Sequence, residues 1–69
     1  MKEKVEELWT KYNEYKETAE QHMFVQLLMF DRMLIPVYND LQENWSDEHA
    51  KIFINGMGIV FKKLGISNN

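Results

Sequence analysis

Apolar residues recur along this chain at the three- and four-residue spacing of an amphipathic helix. Val5, Leu8, Trp9, Tyr12, Tyr15, Ala19, Met23, Leu27, Phe30, Met33, Leu34, Val37 and Leu41 project onto one broad stripe when each residue turns by about 100°. No alternating stretch of useful length competes with this period. Lys and Glu occupy the remaining faces of the first part, where Glu7 and Lys11 form an i,i+4 pair in the favourable order. The pattern predicts a helix from about residue 3 to about residue 42.

Pro36 interrupts this reading. It has no backbone N–H and crowds the carbonyl of Arg32, so the helix is expected either to kink there or to break and restart. Met33, Leu34, Val37 and Leu41 hold the stripe in phase across it, which favours a kink. A second helix is expected over about residues 47 to 64. Ser46 is a suitable N-cap, Asp47 and Glu48 complement the dipole of the first turn, and Lys62 and Lys63 complement the last. Ala50, Phe53, Ile54, Met57, Phe61 and Leu64 form its apolar face. Gly65 fits a left-handed cap with Ile66 as its hydrophobic contact, which leaves Ser67–Asn69 as a frayed end of the tail 65–69.

The resulting fold class is all-α, a single helical domain built as a hairpin. Such a hairpin has more apolar surface than it can hide. Phe24, Leu28 and Ile35 form a second face on the long helix, and Val25 and Met29 lie on yet another side. Ile52, Ile59 and Ile66 recur every seven residues away from the Phe53 face. Each such side chain gains about 1.5–3 kcal/mol on full burial, so several left in water would forgo an energy comparable with the stability of a small domain. Two hairpins joined into a helical bundle would cover these faces, and a homodimer with Phe24, Leu28, Ile35, Ile52 and Ile59 at its interface is the expected assembly. A break at Pro36 would instead allow a three-helix mini-bundle. The stripe of Val5, Leu8, Trp9, Tyr12 and Tyr15 would even then lack an intrachain partner and is expected to meet a second chain.

Composition narrows the classes. The chain has 69 residues, no cysteine, three glycines and one proline, so disulfides and Cys-based zinc sites are excluded. Eight basic against eleven acidic residues give a net charge of −3, unlike the basic surface on which nucleic-acid binding depends. The apolar stretch from His22 to Tyr38 carries Asp31 and Arg32 at its middle, which disfavours a membrane span. No secretory signal follows Met1, and a cytoplasmic location is expected.

Candidate chemistry is sparse. Neither His22 nor His49 has a carboxylate at i±3 or i±4, so no local metal site is expected. Ser46 reads as a cap, Ser67 as tail, and Trp9, Tyr12 and Tyr15 as core rather than as a cofactor box. Gly56-Met57-Gly58 lacks the strand and the Lys-Ser/Thr of a phosphate loop; inside a helix its glycines call for close approach of a neighbour or a bend. Asp31 and Arg32 read either as a solvated helix edge or as an ionic contact that fixes a partner's register. An active site assembled between chains from Asp31, Arg32 and His22 is the weakest reading.

The run Phe61–Asn69 resembles the second helix and turn of helix-turn-helix repressors, but the match lacks the recognition helix that reads bases. Glycine capping accounts for the same residues. The expected function is therefore a non-enzymatic, homo-oligomeric interaction module, without cofactor, that regulates, inhibits or adapts another protein. The alternative is a dimeric regulator that contacts DNA through Lys62 and Lys63 of the C-terminal helix.

Overall fold

In a computed structural model, which describes residues 1–66, the chain is all-helical. Helix α1 spans Lys2–Thr18, α2 spans Phe24–Glu43 and α3 spans Asp47–Leu64, with a single 3₁₀ turn over Gln21–Met23 between the first two. The three rods have similar lengths, about 25–30 Å at 1.5 Å per residue. They stack into a body of 34 × 25 × 17 Å.

The N-terminal helix does not run on to residue 42. It stops at Thr18, and Ala19 and Glu20 adopt extended backbone, with ψ of 144° and 154°. A rod over residues 3 to 42 would be about 60 Å long and could bury its stripe only against another chain. Turning at Ala19–Glu20 folds the stripe onto itself. Val5, Leu8 and Tyr12 of α1, Leu27, Leu34 and Leu41 of α2, and Ala50, Phe53, Met57, Val60 and Phe61 of α3 form one buried core. The N-terminal stripe thus finds its partner within its own chain, contrary to the expectation from sequence. Met33, assigned to the stripe by its phase, lies outside the core and is 63% exposed.

Pro36 lies inside α2, which continues for a further seven residues, to Glu43. It is exposed, as is Arg32, the residue whose carbonyl it leaves without an N–H. A proline on the solvent side of a helix frees a carbonyl that water can reach, which is the least costly place for it. The break at this position foreseen as an alternative does not occur.

The start and end of α3 follow local chemistry. Ser46 Oγ accepts the His49 N–H at 3.3 Å, and the Trp45 indole N–H donates to Asp47 at 2.8 Å. At the other end Gly65 is left-handed with φ of 75°. The N–H of Ile66 reaches the Phe61 carbonyl and that of Gly65 the Lys62 carbonyl, the paired bonds of a Schellman cap. Ile66 packs against the core. The expected frayed end, Ser67–Asn69, lies outside the described residues.

Helix α3 packs against both other helices, whereas α1 and α2 approach each other less closely. Polar links span that seam. The Tyr12 hydroxyl donates to Asp31 at 2.6 Å, and Lys16 Nζ lies 3.0 Å from both Asp31 carboxylate oxygens. One helical face further on, Glu6 accepts from the Tyr38 hydroxyl at 2.7 and 2.9 Å and from Gln42 at 2.8 Å. Trp9 stacks on Tyr38 with ring centroids 4.3 Å apart. Every buried side-chain polar atom among the described residues has a partner.

Candidate functional site

The core needs only one stripe of each helix, so the remaining apolar residues of α2 and α3 are left on the outside. Leu27, Leu34 and Leu41 point inward at seven-residue spacing. The positions between them on the far side of α2 are Phe24, Val25, Leu28, Met29, Arg32, Met33, Ile35 and Pro36, all exposed. Arg32 is the one charge in this set, and it makes no hydrogen bond or ion pair among the described residues. On α3, Ile52 and Ile59 stand on the side away from Phe53 and Met57.

The five residues singled out from sequence are therefore all at the surface. Phe24 is 51% exposed, Leu28 62%, Ile35 38%, Ile52 61% and Ile59 59%. Phe24, Leu28 and Ile35 stand on α2 and Ile52 and Ile59 on α3, and a groove runs along each of two edges of α2. Phe24 and Leu28, with Leu27, Lys16 and Asp31, line a groove of about 260 Å³ on the α1 side. Ile52, with Pro36, Val37, Asp40 and His49, lines a larger groove of about 480 Å³ between α2 and α3. Val25, Met29 and Met33, at 72%, 62% and 63% exposure, occupy the ridge that separates the two edges. Counting apolar residues outside the main stripe located most of this surface. The Asp40–His49 end of the larger groove was not found, because Asp40 and His49 meet only through the packing of α2 on α3.

The polar groups near these grooves are accounted for by the fold. Asp31, read as a register contact or a solvated edge, is half-buried and accepts from Tyr12 and Lys16 of its own chain. Burial, reinforced by the hydrogen bond to Asp31 and its negative charge, drives the Tyr12 phenol well above the ordinary tyrosine range. Desolvation, together with the hydrogen bond to Glu6 and its charge, pushes Tyr38 from 10.0 up to about 12. Both phenols are donors that hold α1 to α2, and neither is activated as a nucleophile.

His22 is exposed with Nδ1 3.3 Å from Glu20, and His49 Nδ1 lies 3.6 Å from Asp40. No group of three or more His, Asp or Glu gathers among the described residues in a way that would hold a metal ion. Asp31, Arg32 and His22 are not brought together in contact within one chain: Asp31 pairs with Lys16, and His22 with Glu20.

The two internal glycines of α3 also read differently in three dimensions. A Cβ placed on Gly56 or on Gly58 would meet nothing within 4 Å. The close helix approach that the sequence suggested for this pair is therefore not made inside the chain. No helix among the described residues is long and apolar enough to cross a membrane. No family model, curated protein or solved structure matches the chain.

Proposed function

We propose that this chain is a small cytoplasmic interaction module that self-associates and acts as a regulator, inhibitor or adaptor of another protein, with no chemistry of its own. The observation that carries this reading is the outward surface of α2 between Phe24 and Pro36, where Arg32 is the one polar residue among those exposed. A monomer that has already filled its core gains nothing by keeping Phe24, Val25, Leu28, Met29 and Met33 in water. Contiguous apolar surface of this kind on soluble proteins usually marks a contact with another macromolecule. Phe24, Leu28, Ile35, Ile52 and Ile59 are the residues assigned to the homo-oligomer interface.

Light scattering on the purified chain at micromolar concentration tests the reading. A mass that rises above 8.3 kDa with concentration supports it. A mass that stays at that of one chain throughout removes self-association from the account.

A further inference from the structure

The homo-oligomer reading spreads its interface residues over α2 and α3 and leaves open how two copies align, and α3 carries a pattern that answers this. Glu48, Ile52, Gly56, Ile59 and Lys63 follow one another at spacings of four, four, three and four, so they form a single ridge along the helix. Apart from Gly56, which is half-buried, every member of the ridge is exposed. Ile52 places it beside the groove against α2. Glu48 and Lys63 have no ion-pair or hydrogen-bond partner among the described residues. Gly56 sits near the middle with open space where its Cβ would be. A mid-helix glycine is less favourable than alanine, and nothing among the described residues uses the room it leaves.

We propose that this ridge is self-complementary and docks a second copy of the chain, antiparallel, through α3. Reversing one α3 against another about a point between Asn55 and Gly56 sets Ile52 opposite Ile59 and Glu48 opposite Lys63. A two-fold axis repeats each contact, so two Ile–Ile contacts and two Glu–Lys pairs form together. Gly56 stands at the crossing, where a missing side chain lets two helix backbones come close. The parallel arrangement would set Glu48 against Glu48 and Lys63 against Lys63, and like charges oppose it. Pro36 and Val37, which line the groove beside Ile52, supply the apolar wall on the α2 side.

This inference rests on the homo-oligomer reading, and charge reversal separates the two. Glu48→Lys and Lys63→Glu each turn both attractive pairs into repulsive ones and should weaken self-association about tenfold, with unchanged helical circular dichroism. An equimolar mixture of the two variants should recover association as a heterodimer, because every pair in it is again opposite in charge. Gly56→Leu should abolish association, whereas the matched change Gly58→Leu on another side of α3 should not. If the wild-type chain associates but neither charge variant nor Gly56→Leu alters it, the α3 ridge is wrong while homo-oligomerisation stands. Single variants that weaken association but fail to rescue each other overturn the antiparallel register. A wild-type chain that is monomeric at every concentration overturns both readings.

Discussion

Helix α1 and the first half of α2 present opposite surfaces to solvent. On α1 the exposed residues after Met1 are Lys2, Glu3, Lys4, Glu6, Glu7, Thr10, Glu14, Glu17 and Thr18, none of them apolar. On α2 from Phe24 to Pro36, Arg32 alone breaks an apolar exposed set. Beyond Pro36 the same helix reverts to the α1 pattern, with Asn39, Asp40, Gln42 and Glu43 exposed. Both helices contribute equally to one core, so core packing cannot be the reason for the difference. The contrast teaches that the fold and the outer apolar surface are separate features of one sequence. The first uses the inward stripes, and the second is additional to them.

That separation can be attacked first at the core. Phe53 is 2% exposed and touches the Trp9–Tyr38 stack, so Phe53→Ala should cost about 3–5 kcal/mol and leave the chain largely unfolded by circular dichroism and thermal melting. Tyr12→Phe removes the shorter donor to Asp31 but leaves Lys16 in place. A loss of about 1.5–3 kcal/mol in chemical denaturation is expected, as for hydrogen bonds to charged groups.

Alkaline pH sharpens the role of the polar α1–α2 seam. The folded chain holds Tyr38 protonated up to about 12, whereas the unfolded chain releases that proton near 10.0. The contribution is fully present below pH 10.0 and fades as pH rises towards about 12, since the unfolded state then binds fewer protons. Denaturation midpoints should therefore fall across that window, and Tyr38→Phe should flatten the fall.

The smallest effects on folding should come from the outer surfaces themselves, where only association distinguishes them. Leu28→Asp and Glu14→Ala each replace an exposed side chain, so each should change stability by no more than about 0.5 kcal/mol. Leu28→Asp should nevertheless lower the associated mass, whereas Glu14→Ala should leave it unchanged. A large loss of stability in monomeric Leu28→Asp would mean that the residue supports the core after all.

How far the sequence foretold this depends on whether a feature is local or tertiary. Ser46, Gly65 and the face of α3 were readable because caps and periodicity act within a few residues. The aromatic run Trp9, Tyr12 and Tyr15 was rightly placed in or against the core. The turn at Ala19–Glu20 carried no signal, since alanine is the best helix former and neither glycine nor proline stands near it. It exists because folding back buries Val5, Leu8 and Tyr12, a gain visible only once three rods of similar length are stacked. At Pro36 the phase of the stripe rightly favoured a helix that continues over one that breaks, and the local cost of the proline is limited by its place on an exposed side of α2. The exposed apolar residues could be counted in advance, yet their division between two edges of α2 required the positions of α1 and α3.

The most direct test follows methyl groups of the intact chain by NMR in the presence of a soluble paramagnetic agent, over a dilution series. The account predicts that Ile52 and Ile59 methyls are attenuated when dilute and become protected as concentration rises, while the Thr10 methyl on α1 stays attenuated throughout. Ile52 and Ile59 remaining as accessible as Thr10 at the highest concentration would contradict it.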